Sequence, residues 1–189
     1  MLRQSEFNYA EIKELGICLK GSSQAEIVKC VGSLEEELEV ITKSLKCGGK
    51  VTKQRTKGAG KGTVKVNVRI PWDTYVKMFG MEDENLIDGV VSYGENSIHP
   101  VFKLTGRVVD EDDNDMLVAY PNATIMSNQT TKIQNDQVDI AAVDLDITIT
   151  PDEYGNGVYK SIVEDLEEST ISDEWMKNFS TTLIRVKEA

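Results

Sequence analysis

The chain has 189 residues, with 21 Lys and Arg against 32 Asp and Glu, for a formal net charge of -11. With 40% apolar and 28% charged residues it falls in the globular range and outside the disordered one. A chain of this size buries roughly 70% of its unfolded surface, enough for one domain without a metal or disulfide staple.

The apolar runs are only a few residues long, far short of the roughly 20 that a helical membrane span needs. The opening Met1-Leu2-Arg3-Gln4-Ser5-Glu6 has no apolar core, and Cys18, Cys30 and Cys47 have no metal-type spacing. The expectation is therefore a chain without a secretory leader, made in a reducing cytosol.

In chain order, residues 16–20 and 25–31 read as short strands. Residues 33–46 fit two templates. Ser33 with Glu36 makes a capping box, and Leu34, Leu38, Ile41 and Leu45 form a helical stripe ended by Gly48-Gly49. The β-branched Val40-Ile41-Thr42 and the alternating strand that follows fit a long hairpin instead. Pattern alone leans to the helix.

Residues 63–70 alternate strictly, with Val64, Val66, Val68 and Ile70 on one face and Thr63, Lys65, Asn67 and Arg69 on the other. From Pro71 to Gly80 the spacing of Trp72, Tyr75, Val76 and Phe79 predicts a short helix docked on a sheet. Residues 89–93 are a further strand candidate. Residues 100–109 and 116–127 read as a hairpin joined by Asp110-Glu111-Asp112-Asp113-Asn114-Asp115. Residues 143–150 alternate again, with a bulge expected near Ala141. Tyr159, Ile162, Val163 and Leu166 predict a second helix, and Ser172 a third one carrying Trp175 and Phe179. Residues 182–187 close the series as a last strand.

Charge is segregated. Between Glu39 and Asp73 there is no acidic residue, while Lys43, Lys46, Lys50, Lys53, Arg55, Lys57, Lys61, Lys65 and Arg69 give +9. The remaining 12 positive and 32 negative residues give -20. A basic loop of this kind has three readings: a solvated hairpin tip, a nucleic-acid contact, or a contact with the acidic surface of another copy. Residues 46–61 hold no aromatic side chain for base stacking. A basic loop meeting an acidic body attracts head to tail, and such a heterologous contact builds stacks rather than closed dimers.

Gly58-Ala59-Gly60-Lys61-Gly62-Thr63 imitates part of a phosphate-binding loop, but that loop needs a strand before it and a helix after it. A flexible glycine loop is the plainer reading, and an NTP-dependent enzyme is disfavoured. The acidic 110–115 run lacks the Gly and Glu that a calcium loop needs at its sixth and twelfth positions, so it reads as a turn. His99 has no Cys or Ser companion pattern for a catalytic dyad. No catalytic, cofactor-binding or metal-binding residue is assigned.

Four blocks in order carry a resemblance. They are Gly32-Ser33-Leu34-Glu35-Glu36-Glu37-Leu38-Glu39-Val40, Arg69-Ile70-Pro71-Trp72-Asp73-Thr74-Tyr75-Val76-Lys77-Met78-Phe79-Gly80-Met81, Ala119-Tyr120-Pro121-Asn122-Ala123 and Pro151-Asp152-Glu153-Tyr154-Gly155-Asn156-Gly157-Val158-Tyr159. Over residues 12–179 the chain resembles the major tail protein (tail-tube protein) of long, non-contractile-tailed bacteriophages of Gram-positive bacteria.

The resemblance implies a mainly β subunit: a β-sandwich with one or two flanking short α-helices and a long protruding β-hairpin spanning about residues 40–70. This favours strand over helix for 33–46. It implies an N-terminal arm (1–11), a tail-tube domain (12–170) with a protruding loop 46–62, and a C-terminal segment (171–189). It also implies self-assembly into hexameric rings stacked as a conduit for DNA ejection, in a virion tail made in the host cytoplasm, with no membrane. Tape-measure, tail terminator and baseplate or distal tail proteins are the implied partners, and phage DNA passes without specific binding.

If each subunit lends about four strands to an inner barrel, about 24 strands at ~4.8 Å spacing and ~40° tilt enclose a bore of roughly 38 Å. Duplex DNA, whose major groove is ~12 Å wide, fits such a bore. Six copies at -11 each make the lining repulsive to phosphate. Lys46, Lys50, Lys53, Arg55, Lys57 and Lys61 are then the expected ring–ring contact, and Asp144 and Asp146 the candidate lumen-facing acids. The alternative is a small acidic β-domain whose basic loop binds nucleic acid.

Overall fold

The computed structural model describes residues 7–130, 142–166 and 168–185. It is mainly antiparallel β-sheet with two short α-helices. The strands are β1 (Tyr9–Leu19), β2 (Glu26–Val28), β3 (Val31–Cys47), β4 (Lys50–Val68), β5 (Phe102–Asp110), β6 (Asp115–Ile125), β7 (Val143–Ile149) and β8 (Tyr159–Ile162). The helices are α1 (Trp72–Met78) and α2 (Ser169–Asn178).

The path β2-β1-β5-β6-β7-β4-β3 is one continuous sheet, with β8 also paired to β6. The sandwich comes from a bend in β6. Its first half, Met116–Ala119, pairs with β8, and its second half, Ala123–Ile125, pairs with β7. Between these halves Pro121 supplies no backbone N–H, which suits a position where one partner strand gives way to another. Two layers result, β2-β1-β5-β6-β8 and β6-β7-β4-β3.

The main core fills the space between the layers. Leu15 and Ile17, Val64, Val66 and Val68, Phe102 and Leu104, Val118 and Tyr120, and Leu145, Ile147 and Ile149 meet there. Alternation in β4 and β7 therefore points the valines, isoleucines and leucine inward, as their period-two spacing predicts. Helix α1 adds Tyr75, Val76 and Met78 to this core, followed by Phe79. Helix α2 covers the outer side of the first layer, where Trp175, Met176 and Phe179 pack on Leu117 and Ala119.

Several expectations change. β3 is strand along its whole length, so the helical template for 33–46 fails because pairing with β4 decides the conformation. Residues 159–162 are strand rather than helix, because β6 offers a free edge to them; only Val163–Asp165 turn into a short 3-10 segment. α2 starts at Ser169, which leaves Ser172 buried within the helix instead of capping it. Residues 89–93 form no strand: Gly89 has φ +85° and Val90 N–H donates to the Ile87 carbonyl, turning the chain. Within 46–62 the chain is strand on both sides of Gly48-Gly49, so this segment is the paired end of a hairpin. The bulge expected near Ala141 lies outside the described residues, as does the end of the 182–187 strand, whose described part is turn.

Candidate assembly surface: the projecting hairpin

β7 accompanies β4 only from Gly62 to Val68. Beyond Gly62 the β3–β4 ribbon continues through Val40–Cys47, about 27 Å at ~3.4 Å per residue, with no further strand beside it among the described residues. Cys47 pairs with Lys50 across Gly48 and Gly49, whose φ values of +58° and +77° are those of a two-residue type I′ turn. The turn follows the right-handed twist of the strands, and just before it the register shifts between Leu45 and Lys46, leaving Thr52 as an extra residue of β4.

Register sorts its side chains by face. Ile41 lies opposite Lys57, Lys43 opposite Arg55, and Leu45 opposite Lys53. Directly opposed residues share a face, so four cations and two exposed aliphatic side chains lie on one side. The reverse side carries Thr42 opposite Thr56 and Ser44 opposite Gln54, with the two threonine hydroxyls 3.0 Å apart. Of the expected contact residues, Lys53, Arg55 and Lys57 are thus brought together. Lys46 and Lys50 sit beside the turn. Lys61 is at the ribbon's base, 3.1 Å from Glu39. Lys43 counts among the nine cations of the sequence, and Ile41 and Leu45 belong to its apolar stripe; only the cross-strand register places all three on this face.

The base is clamped in two places. At the first, three residues of β4, Ala59 to Lys61, bulge opposite Glu39 alone. Gly60 has φ +72°, and a side chain there would run into the Gly155 carbonyl; one at Gly157 would meet the Gly60 carbonyl. The glycine-rich motif is therefore a bulge wedged on the Asp152–Gly157 turn, not a phosphate cradle. That turn is closed by Asp152, whose Oδ1 accepts the Tyr154 and Asn156 N–H groups at 2.9 Å each and whose Oδ2 accepts the Tyr159 hydroxyl at 2.6 Å. Desolvation opposes ionisation of Asp152, but the Tyr159, Asn156 and Tyr154 hydrogen bonds and the Arg185 charge outweigh it and hold the carboxyl below its usual range.

The second clamp is Glu36, an inward position of β3. Its Oε2 accepts the Tyr120 hydroxyl and its Oε1 the Lys160 ammonium, both at 2.6 Å. Burial first, then the hydrogen bond to Glu36 and the Glu36 charge, push the Tyr120 hydroxyl's pKa up. For Lys160, burial works against the charge, but Glu36 prevails and raises its pKa. These residues line one end of a cavity of about 500 Å³ between β1 and β3, otherwise walled largely by aliphatic side chains such as Ile12, Leu34 and Val108.

Asp144 and Asp146 stand exposed on the outer face of β7. Asp144 accepts Asn67 Nδ2–H at 2.6 Å, and Asp146 lies opposite Lys65. Glu35 and Glu37 occupy the same outer face two strands away. Elsewhere, Asp110 spends its carboxylate on the amides of its own turn: Oδ1 accepts Asp112 and Asn114 N–H at 2.9 and 2.8 Å. His99 contacts the Ile125 carbonyl at 2.9 Å and the Tyr93 hydroxyl at 3.1 Å, and packs edge-on to Phe79. Among the described residues no His, Cys, Asp and Glu cluster is arranged to hold a metal ion, and no helix is long and apolar enough to cross a membrane.

No protein-family profile matches the chain, and no curated protein matches it. Among solved structures it is similar to a chain of the anti-feeding prophage (AFP) baseplate, a six-fold symmetrised cryo-EM structure. The TM-score is 0.44 at 9% identity, covering 87% of this chain and 99% of that one.

Proposed function

We propose that this chain is a structural subunit of a phage tail tube. Copies associate as hexameric rings and stack head to tail into a conduit for DNA ejection, and the chain carries no catalysis or cofactor. The observation that carries the reading is the projecting ribbon with its cations gathered on one face. Lys43 directly opposite Arg55 is a like-charge pair that weakens the isolated ribbon, and no acid in residues 40–72 relieves it. An arrangement costly to the free subunit is useful when an acidic surface of another copy covers it.

The four blocks of resemblance support the same reading, because the structure gives each a mechanical role. Residues 32–40 root the ribbon and residues 69–81 form α1. Residues 119–123 bend β6, and residues 151–159 wedge the bulge. The layer β6-β7-β4-β3 has the four strands the inner barrel needs. Its outer face, with Asp144, Asp146, Glu35 and Glu37, is the proposed DNA-repelling lining. In this account the protein resides in the virion tail after synthesis in the host cytoplasm, and the tape-measure, terminator and baseplate or distal tail proteins are its further partners.

The test reverses the charge of the ribbon face with Lys53→Glu, Arg55→Glu and Lys57→Glu. Sedimentable assemblies should disappear while the melting temperature stays that of the parent, since exposed charges contribute little to folding. Unchanged tube yield would remove the reading. Salt-dependent DNA binding by the unassembled subunit, lost in the same variant, would favour the nucleic-acid alternative instead.

A further inference from the structure

After α1, residues 81–101 run without a strand or helix, an unusual length for a connection in a compact domain and one associated with function. The segment is nonetheless fixed. Ser92 N–H donates to the Met81 carbonyl, Asp83 Oδ1 accepts Asn85 N–H at 3.0 Å, and His99 ties it to the end of β6. On this fixed scaffold Leu86, Ile87, Val90, Tyr93 and Ile98 face solvent, and Ile87 and Ile98 are 79% and 78% exposed. Single exposed apolar residues are ordinary, but five on one connection are a dense exposed apolar stretch of the kind that marks an interaction surface.

Its rim is acidic. From Ile70 to Val101 the chain holds Asp73, Glu82, Asp83, Glu84, Asp88 and Glu95 against Lys77 alone. The ribbon is its complement, with Lys43, Lys53, Arg55 and Lys57 flanking the exposed Ile41 and Leu45. The connection starts at the end of β4 away from the turn: β4 runs from the turn to Val68, about 60 Å of strand, and α1, which precedes the connection, starts at Trp72. The other dense acidic run, 110–115, is a poorer match. Asp110 is used by its own turn, and Asp115 is engaged by Arg107 at 3.0 Å and Lys13 at 3.4 Å.

We infer that the connection 81–101 is the socket that receives the ribbon tip of a second copy, aliphatic side chains meeting in the middle and ion pairs closing the rim. The inference rests on the head-to-tail reading above and adds the receiving surface to it. Such a contact joins two different surfaces of the subunit, so it is heterologous and can repeat from copy to copy.

Cys47, exposed beside the turn, is a native probe for this contact. In a Cys30→Ser background, Ile87→Cys puts a second thiol in the socket. Mild oxidation of the assembled full chain should give a covalent ladder of copies, with the Cys47 peptide linked to the residue 87 peptide, and Cys47→Ser should abolish that link. Tubes that form without it would overturn the socket while leaving the tube reading intact; a chain that never assembles would overturn both. In a second arm, Glu82→Lys, Glu84→Lys and Asp88→Lys should raise the concentration needed for assembly at least about tenfold. Combining them with the three ribbon reversals should restore assembly. Rescue by Glu111→Lys, Asp112→Lys and Asp113→Lys in their place would move the socket to that turn and overturn the proposal.

Discussion

The same two strands behave differently at their two ends. At the root of β4, Val64, Val66 and Val68 are buried against β7, β5 and α1, and Glu36 of β3 is bonded to Tyr120 and Lys160. Past Gly62 no third strand joins the ribbon among the described residues, and its aliphatic side chains Val40, Ile41, Leu45 and Val51 are exposed. A two-stranded ribbon is marginal on its own in water, and the proposed contact with another copy would supply the cover that its tip lacks. The root holds the domain together, whereas the tip contributes reach and charge.

That contrast can be broken most severely at the root. Val66→Asp puts an unpaired carboxylate into the space between the layers and should cost at least about 3 kcal/mol, read as collapse of the thermal transition. A substitution of the same kind at the exposed tip, Val51→Asp, should leave the melting temperature unchanged. Glu36→Ala comes next: it strands the buried Tyr120 hydroxyl and the half-buried Lys160, for an expected loss of about 2–3 kcal/mol in denaturant unfolding. Gly60→Ala follows. It forces a β-carbon into a left-handed position facing the Gly155 carbonyl, for about 1–3 kcal/mol, with tube yield falling more than stability because the ribbon's base is re-aimed. A Gly60→Ala protein of parental stability and parental tube yield would show that the bulge does not set the ribbon's direction.

The same contrast explains what the sequence discloses. Residues 64–68 and 143–149 are legible because every inward position is apolar and period two is unbroken. Residues 33–46 mislead because the inward position 36 holds a glutamate. Its partners Tyr120 and Lys160 lie 84 and 124 positions away, where no local window registers them. Residues 159–166 mislead similarly, since β8 exists only where the bend in β6 exposes an edge. At the tip, the odd-numbered Lys53, Arg55 and Lys57 already share a side of β4. Adding Lys43, Ile41 and Leu45 requires the register across Gly48-Gly49, and matching that face to residues 81–101 requires knowing which end of β4 carries α1. The Gly58–Gly62 cluster reads as slack chain until the turn it rests on, almost 100 positions downstream, is brought against it.

Electron microscopy of the purified full chain at high concentration tests self-assembly most directly. Hollow tubes or stacked six-fold rings with a regular axial repeat are the predicted result. Dispersed single subunits at every concentration and salt condition, with the ribbon ordered yet unengaged, would contradict the account.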